Sequence, residues 1–484
     1  MTDAEYLAWL QDDRKERVVL VEAQAHDGSS VVTLYFASTD YVTTPSESPA
    51  NISYEGILRE VPRFSNSMAE AFNGASRPAL GEMVIENEDG QQDAWLLYAW
   101  AGYPVKLYLG DRSWPRVDFR LIVDGVTNDL QARNRDTLTL KIRDKQDLLN
   151  KQAQTTLYTT GVTTGKPKPL CYGEVYQIEP VLIDATTHKY QVHDGPIQAI
   201  SQVYENGFVI PFTADIANGA FTLPASPAGT VTADVLGAKP GGVYLTKVAD
   251  IANDLITRAG FVAGDIDSTS LSNMNTTCPQ TVGIYLRERE NLMATLDELV
   301  KSVGGFYGMG RNGKFQMGRL SAPTGVAVLE LSADDIEDKG VEVKTITPPL
   351  KTVRLGYKRY HTKLGTIAGG VTETFRADLI EEYRVVVANN TVPEWPEAEE
   401  PDLKGTALAI QSEAQTEVDR LAALYAVPRR RLKVKAYTAP QTIEIGQEVK
   451  ITYPRYGLDT GEYGIVVAIN ESPTSYRCEL EIWL

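Results

Sequence analysis

Two glycine-rich stretches carry spacings that could cradle a phosphate. "GMGRNG", Gly308–Gly313, matches GxGxxG. A dinucleotide fingerprint needs a strand before it and a helix after it, because the helix N-terminus holds the pyrophosphate. Here "KFQMGRL" follows and alternates as a strand does, so the stretch predicts a hairpin with Asn312-Gly313 supplying positive φ angles. "GVTTGKP", Gly161–Pro167, is one residue short of a phosphate loop, and Pro167 stands where a Ser or Thr would hold Mg²⁺. A loop between domains is the better account of it.

Metal and nucleophile chemistry finds as little. The histidines are His26, His188, His193 and His361. His188 and His193 miss the i, i+4 spacing of a helical metal pair, and His193 precedes Asp194-Gly195, so surface or turn positions are expected. Cys171, Cys278 and Cys478 are far apart and form no CxxC, which predicts small buried or semi-buried thiols. Carboxylates cluster in "SADDIEDKG" and "EWPEAEEPD", but among 64 acidic residues these read as solvated surface. The sequons at Asn51, Asn275, Asn389 and Asn470 have no secretory signal to give them meaning. The sequence therefore assigns no catalytic residue, no metal ligand and no cofactor.

Contact surfaces are better represented. "PRRRLKVKAY", Pro428 to Tyr437, is the sharpest basic run; as a strand it puts Arg429, Arg431, Lys433 and Lys435 on one face. In a chain of net charge −17 the expected partner is an acidic protein surface, the chain's own acidic loop or a neighbouring subunit, with phosphate contact the alternative. Many of the 24 tyrosines sit beside turns, as in "YPRYGL", "GYKRY", "GEYG" and "VYENG". Tyr suits protein contact surfaces, and it also favours strands.

The elements that must carry these residues are mostly strands. A short helix is expected at Asp3–Gln11, with Ala4, Leu7, Ala8 and Leu10 available for burial. "RVVLVEAQA" and "SSVVTLYFAS" flank an Asp-Gly turn as a hairpin. "DFRLIVDGVTNDLQARNRDTLTLKIRDKQDLLNK" reads as strand, Asp-Gly turn, strand and a short helical ending. A Thr/Gly/Pro-rich stretch near residue 160 marks a boundary, and shorter strands follow. The period then turns helical: Val248, Ile251, Leu255 and Ile256 share one face, as do Leu292, Leu296, Leu299 and Val300, with Gly304 as a stop. "PLKTVRLGYKRY" and "VTETFRADL" are strand candidates, and "VPEWPEAEEPDLKG" is an acidic loop. "TALAIQSEAQTEVDRLAALYAV" is the longest helix, burying Ala409, Ala414, Val418, Leu421, Leu424 and Tyr425. "GQEVKITYPRYGLDTGEYGIVVAIN" reads as two closing strands around a turn. No repeat of solenoid or propeller period stands out.

Composition bounds the rest. The 484 residues suggest about three or four domains. Hydrophobic residues at 43% are enough for several cores. The net negative charge disfavours a sequence-reading nucleic-acid binder or an anionic-membrane binder, while a channel that nucleic acid traverses without sticking stays open. No apolar run is long enough for a transmembrane helix, and the N-terminus lacks signal-peptide regions, so synthesis in a cytoplasm is expected.

Three stretches resemble the tail hub proteins of tailed bacteriophages, of the siphophage type. They are Cys171 to Ile210, the helical segment ending "VGGFYGMGRNGKFQMGRL", and Gly446 to Asn470. The resemblance implies a mainly β, multidomain chain with α+β segments. It would have an N-terminal β-barrel-like domain (1–160), a small β insert (161–245), an α+β helical-hairpin domain (246–335) and a C-terminal β-barrel-like domain with an embedded helix (336–484). It implies a structural virion protein and not an enzyme: a homotrimeric hub of the tail tip or baseplate that adapts a sixfold tube to a threefold tip and lines the DNA channel. The implied partners are other copies of itself, distal tail and tail-tube proteins, the tape-measure protein, and tip or fibre proteins, with DNA only in passage and no membrane insertion. The implied location is the virion tail, assembled in the bacterial host cytoplasm. A tail-associated cell-wall-degrading enzyme and a receptor- or carbohydrate-binding tail protein are the alternatives. The first needs a Glu–Asp, zinc or Cys–His constellation, and the second fibre-like repeats or a separable domain.

Overall fold

The computed structural model describes the chain except residues 13, 162, 438–441 and 476 and the side chain of residue 3. It is mainly β with several sheets, as the sequence predicts, and has six α-helices among the described residues.

Helix α1, Asp3–Gln11, starts on a capping box in which Thr2 and Glu5 satisfy each other's backbone N–H groups. It buries Tyr6, Trp9 and Leu10, whereas Ala4, Leu7 and Ala8, also expected inside, face solvent. The aromatic pair wins because it reaches Trp114, 4.5 Å from Trp9 by ring centroids. The first sheet has seven antiparallel strands in the order Val31–Ala37, Val18–His26, Pro104–Gly110, Arg120–Ala132, Thr137–Arg143, Glu82–Glu86, Leu58–Glu60. Val19, Val21, Ala23 and Ala25 alternate into its core with Leu107, Leu109, Met83 and Ile85. The sheet curls towards closure, since Phe36 bridges Glu55, just ahead of the opposite edge strand.

Asp124-Gly125 is not the turn expected from its sequence. Arg120–Ala132 is one strand, and its hairpin turn falls at residues 133–136. Gly125 is there for proximity: a Cβ would lie 2.8 Å from the carbonyl oxygen of Arg143.

The insert is built from Leu170–Ile178, Ile197–Glu205 and Val231–Ala238 in one sheet, faced by Val181–Asp184, Lys189–Gln191, Ala220–Thr222 and Thr213–Asp215 in another. Between them lie Cys171, Val175, Val192, Val203 and Phe221. Helices α2 (Val248–Arg258), α3 (Ser268–Thr277) and α4 (Leu292–Lys301) follow, then the hairpin Gly305–Met309/Phe315–Arg319. The predicted faces of α2 and α4 are buried. Gly304 ends α4's turn at φ 65°.

"VTETFRADL" is helix α5, Glu373–Ile380, and not a strand. Thr372 caps it by accepting from the Phe375 N–H, and only Leu379 is buried, so no two-residue alternation is needed. Helix α6, Gln411–Leu424, is the longest, and it buries Ala414, Val418, Ala422 and Leu424 with Leu421 and Tyr425 half-buried. It packs on the small sheet Arg384–Asn389, Thr352–Tyr357, Lys404–Gly405 and joins the core of α2 and α4. The last sheet runs Leu329–Leu331, Glu448–Tyr453, Leu458–Glu471, Arg477–Trp483, Arg429–Tyr437, Ile336–Thr347.

The first and last sheets repeat one unit. Pro104–Gly110, Arg120–Ala132, Thr137–Arg143 and Glu82–Glu86 lie in the same spatial and chain order as Glu448–Tyr453, Leu458–Glu471, Arg477–Trp483 and Arg429–Tyr437. The registers match along the long strand against Thr137–Arg143 and Arg477–Trp483 and against residues 104–107 and 448–451, and part beyond that. Val126 faces Pro104 and Arg143 as Ile465 faces Glu448 and Trp483. Both long strands shift register one step later, between Thr127 and Asp129 and between Val466 and Ala468. Gly125 and Gly464 occupy equivalent places, and Gly464 admits the carbonyl of Trp483 as Gly125 admits that of Arg143.

A segment of the first unit crosses to the second. Phe64–Ser67 runs antiparallel to Ala468–Glu471, Ala79–Leu80 pairs with Phe64–Ser65, and Gly74–Ala75 runs parallel to Phe306–Tyr307.

Candidate functional site

"GMGRNG" does form a hairpin turn, with Gly313 at φ 66°. A Cβ on Gly313 would meet the Asp124 carbonyl at 2.8 Å, so the turn is pressed against the first sheet and offers no phosphate cradle. At its tip Arg311, 7% exposed, joins three parts of the chain. Its guanidinium donates to the Ile443 carbonyl (2.8 Å) and pairs with Glu471 (2.5 Å) and Glu444 (3.1 Å). It lies over the Phe64 ring of the crossing segment at 4.8 Å. Its carbonyl accepts the Asp124 N–H at 3.0 Å, and Asp124 pairs with Lys145 at 2.9 Å. Burial pushes the Glu444 carboxyl up, and Arg311 pulls it back. Arg311 bears no local sign of this role; its acceptors lie over 130 residues away in the sequence. The arrangement holds units in register and presents no nucleophile to a cleft.

Arg429, Arg431 and Lys433 of the basic strand find their partners inside the chain, while Lys435 is exposed. Arg431 and Lys344 pair with Glu481, and Lys433 with Glu479 at 2.9 Å, all on the adjacent strand Arg477–Trp483. Arg429 stacks over Trp483 at 4.5 Å and donates to the Leu424 carbonyl. This corrects the expectation of the acidic loop or a neighbouring subunit: cross-strand pairing supplies the counter-charges locally. Lys433 is about a third exposed, so Lys433→Ala should cost no more than about 1 kcal/mol in urea unfolding, and a double-mutant cycle with Glu479→Ala should show coupling of that size.

The remaining candidates separate by burial. Cys171, Cys278 and Cys478 are free buried thiols; burial pushes all three up, Cys278 to about 11. His26 ends the strand Val18–His26 and accepts the Gly28 N–H, and His188 sits in a turn. His193 instead lies in the interior at 1% exposure, accepting the Cys171 N–H at 3.0 Å, and His361 is half-buried. Strand pairing of the residues around them placed them there. Of the turn-side tyrosines, Tyr204, Tyr357 and Tyr360 are core residues, while Tyr456 is exposed. Gly161–Pro167 closes turns, such as Gly165 N–H to the Tyr158 carbonyl at 2.9 Å, and its residue 162 lies outside the described residues. Among the described residues no three His, Cys, Asp or Glu groups converge as metal ligands. A cleft of about 790 Å³ opens between the first sheet and residues 260–265. Of its lysines, Lys145 pairs with Asp124 and Lys151 donates to the Ala259 carbonyl.

No family model and no curated protein matches the sequence. Solved structures do match in fold. A tail protein from Neisseria meningitidis MC58 is 9% identical, with 97% of this chain and 96% of that one covered at a TM-score of 0.42. The 43 kDa tail protein of prophage MuSo2 from Shewanella oneidensis is 14% identical, covering 96% and 98% at 0.40. A prophage tail protein from Listeria monocytogenes EGD-e is 9% identical, covering 97% and 94% at 0.42. All three of these are tail proteins, two of them from prophages.

Proposed function

We propose that this chain is a structural subunit of a phage tail tip or baseplate, three copies of which close a ring around the DNA channel. Each chain carries two copies of one β unit, so three chains place six units around an axis. That matches a sixfold tube on one side and a threefold tip on the other. The observation that carries the reading is the register-matched duplication. Within the chain the contact between the copies is heterologous: the first unit's segment lies on the second unit's long strand. Repeated between chains, such a contact closes into a ring when its rotation is right. Tail-tube, tape-measure and tip or fibre proteins would be its neighbours, and it would act without catalysis. Its net charge of −17 suits a lumen that repels the phosphate backbone.

Light scattering and negative-stain imaging, on the purified chain and on isolated tails, test this. A threefold ring with no tight DNA binding at physiological salt is expected. A dimer, or a sixfold ring of this chain in the tail, would sink the six-unit argument.

A further inference from the structure

The two copies of the β unit differ at one edge. In the second unit, Leu458–Glu471 outruns its neighbour Glu448–Tyr453, and Phe64–Ser67 fills the space beyond, with the Met68 N–H donating to the Val467 carbonyl at 2.8 Å. The equivalent residues of the first unit are Asn128–Ala132. Arg120–Ala132 outruns Pro104–Gly110 in the same way, and among the described residues no strand lies beyond it. Asn128 and Asp129 are exposed, where their counterpart Val467 is buried and Ala468 half-buried. The turn Asp93–Leu97 lies against the same strand and holds Leu97 out, 87% exposed, beside Leu96. That turn is fixed by the Trp100 indole N–H donating to the Trp95 carbonyl at 2.9 Å, and no backbone hydrogen bond joins it to Asn128–Ala132. The result is a free edge with an apolar rim.

The intrachain contact is not reciprocated. The crossing segment is the insertion between Leu58–Glu60 and Glu82–Glu86 of the first unit. The matching insertion of the second unit, between Ile336–Thr347 and Arg429–Tyr437, folds on the core of α2 and α4, and no strand of it pairs with Asn128–Ala132. That insertion ends its small sheet on an open strand of its own. Arg384–Asn389 pairs with a strand, Thr352–Tyr357, on one side only and exposes Val385 and Val387; its Val387 carbonyl accepts the Gln415 side-chain amide of α6 at 3.4 Å, a contact that an incoming strand would replace. The edge strand Ile336–Thr347 is guarded by Asp338, Lys339 and Lys344 and two register shifts, whereas Asn128–Ala132 carries one charge, Asp129, and one shift, between Thr127 and Asp129.

We propose that the edge Asn128–Ala132 of one copy receives the strand Arg384–Asn389 of a second copy, continuing between chains the insertion-on-edge contact made within each chain. This rests on the ring-subunit reading above and names the surface that would close the ring. Main-chain bonds give the contact its register, and Val385 and Val387 meet the rim of Leu96 and Leu97.

Amide hydrogen exchange on the full chain, dilute and associated, tests it alongside light scattering. Peptides spanning 127–133 and 384–389 should exchange at least tenfold more slowly in the oligomer. Replacing the exposed pair, Val385→Lys with Val387→Lys, should weaken association at least tenfold and leave thermal unfolding of the monomer unchanged. An oligomer whose two peptides exchange as in the monomer, or a lysine variant that associates like the parent, overturns the edge contact and leaves the ring reading standing. A chain that stays monomeric at every concentration and in tails overturns both.

Discussion

Replacing Arg311 by alanine is expected to destabilise the chain by about 3–5 kcal/mol, because it strands Glu471 in the interior without its cation. Glu471 is 4% exposed at its side chain, so water cannot take over the charge. Three further partners go with it: the Ile443 carbonyl, Glu444 and the Phe64 ring. Arg311→Lys should recover only part of the loss, since a single ammonium cannot hold the Ile443 carbonyl while lying within ion-pair distance of both Glu471 and Glu444. Arg311→Met with Glu471→Gln should recover more than Arg311→Met alone, because the stranded charge is the main cost. Urea unfolding reads all four. A loss below about 1 kcal/mol for Arg311→Ala would mean that the pair is solvated and that the hairpin tip does not tie the two β units together.

That junction also marks where the sequence stopped being informative. Helices α2 and α4 were legible because four large apolar residues recur at helical spacing in each. The hairpin at Asn312-Gly313 was legible from its turn chemistry. Helix α3, "STSLSNMNTT", was not, since it buries only Leu271 and Met274 and is otherwise polar. Phe64–Ser67 could not be read at all: four residues, two of them serine, pair with a strand some four hundred positions later. The duplication is just as hidden. Its two copies share Val105 with Val449, Lys106 with Lys450, Gly125 with Gly464, Leu140 with Leu480 and Ile142 with Ile482, too few and too common to align by eye. Charge even reverses across it, Glu82 facing Lys141 where Lys433 faces Glu481. Register and the bulge persist because a strand pair tolerates any side chain that keeps its face, whereas a glycine that admits a neighbouring carbonyl has no substitute. For the candidate surfaces the sequence supplied the basic residues but not their partners, because Glu479 and Glu481 reach them only through strand order.

Acid should loosen the insert through His193. Burial holds its imidazole down to about 4, against an ordinary value near 6.5. The cause is geometric: Nδ1 accepts the Cys171 N–H, and the Tyr172 ring closes one side at 5.6 Å. A proton on Nδ1 would set two donors against each other. The charged groups nearby are Arg258, which opposes protonation, and Asp254 and Asp194, which favour it. Asp254 is already engaged by Arg258 and the Tyr172 hydroxyl, and Asp194 by Lys168. Because the folded value lies below the unfolded one, the unfolded state binds the proton first as pH falls. The neutral-form stability is complete above pH 6.5, is lost between 6.5 and about 4, and amounts to about 3 kcal/mol. Amide exchange in Leu170–Ile178, corrected for its intrinsic pH dependence, should therefore speed up about a hundredfold over that interval. His193→Gln should remove part of the dependence. His361, whose backbone N–H donates to the Tyr176 carbonyl of this same strand and whose imidazole is held down to about 3 by burial, supplies the rest, so the response should be flat only in the double variant with His361→Gln. If the strand's protection is constant from pH 6.5 to 4, or falls equally in the His193→Gln chain, then the histidine is solvated in the folded protein and its bond to Cys171 does not hold the insert closed.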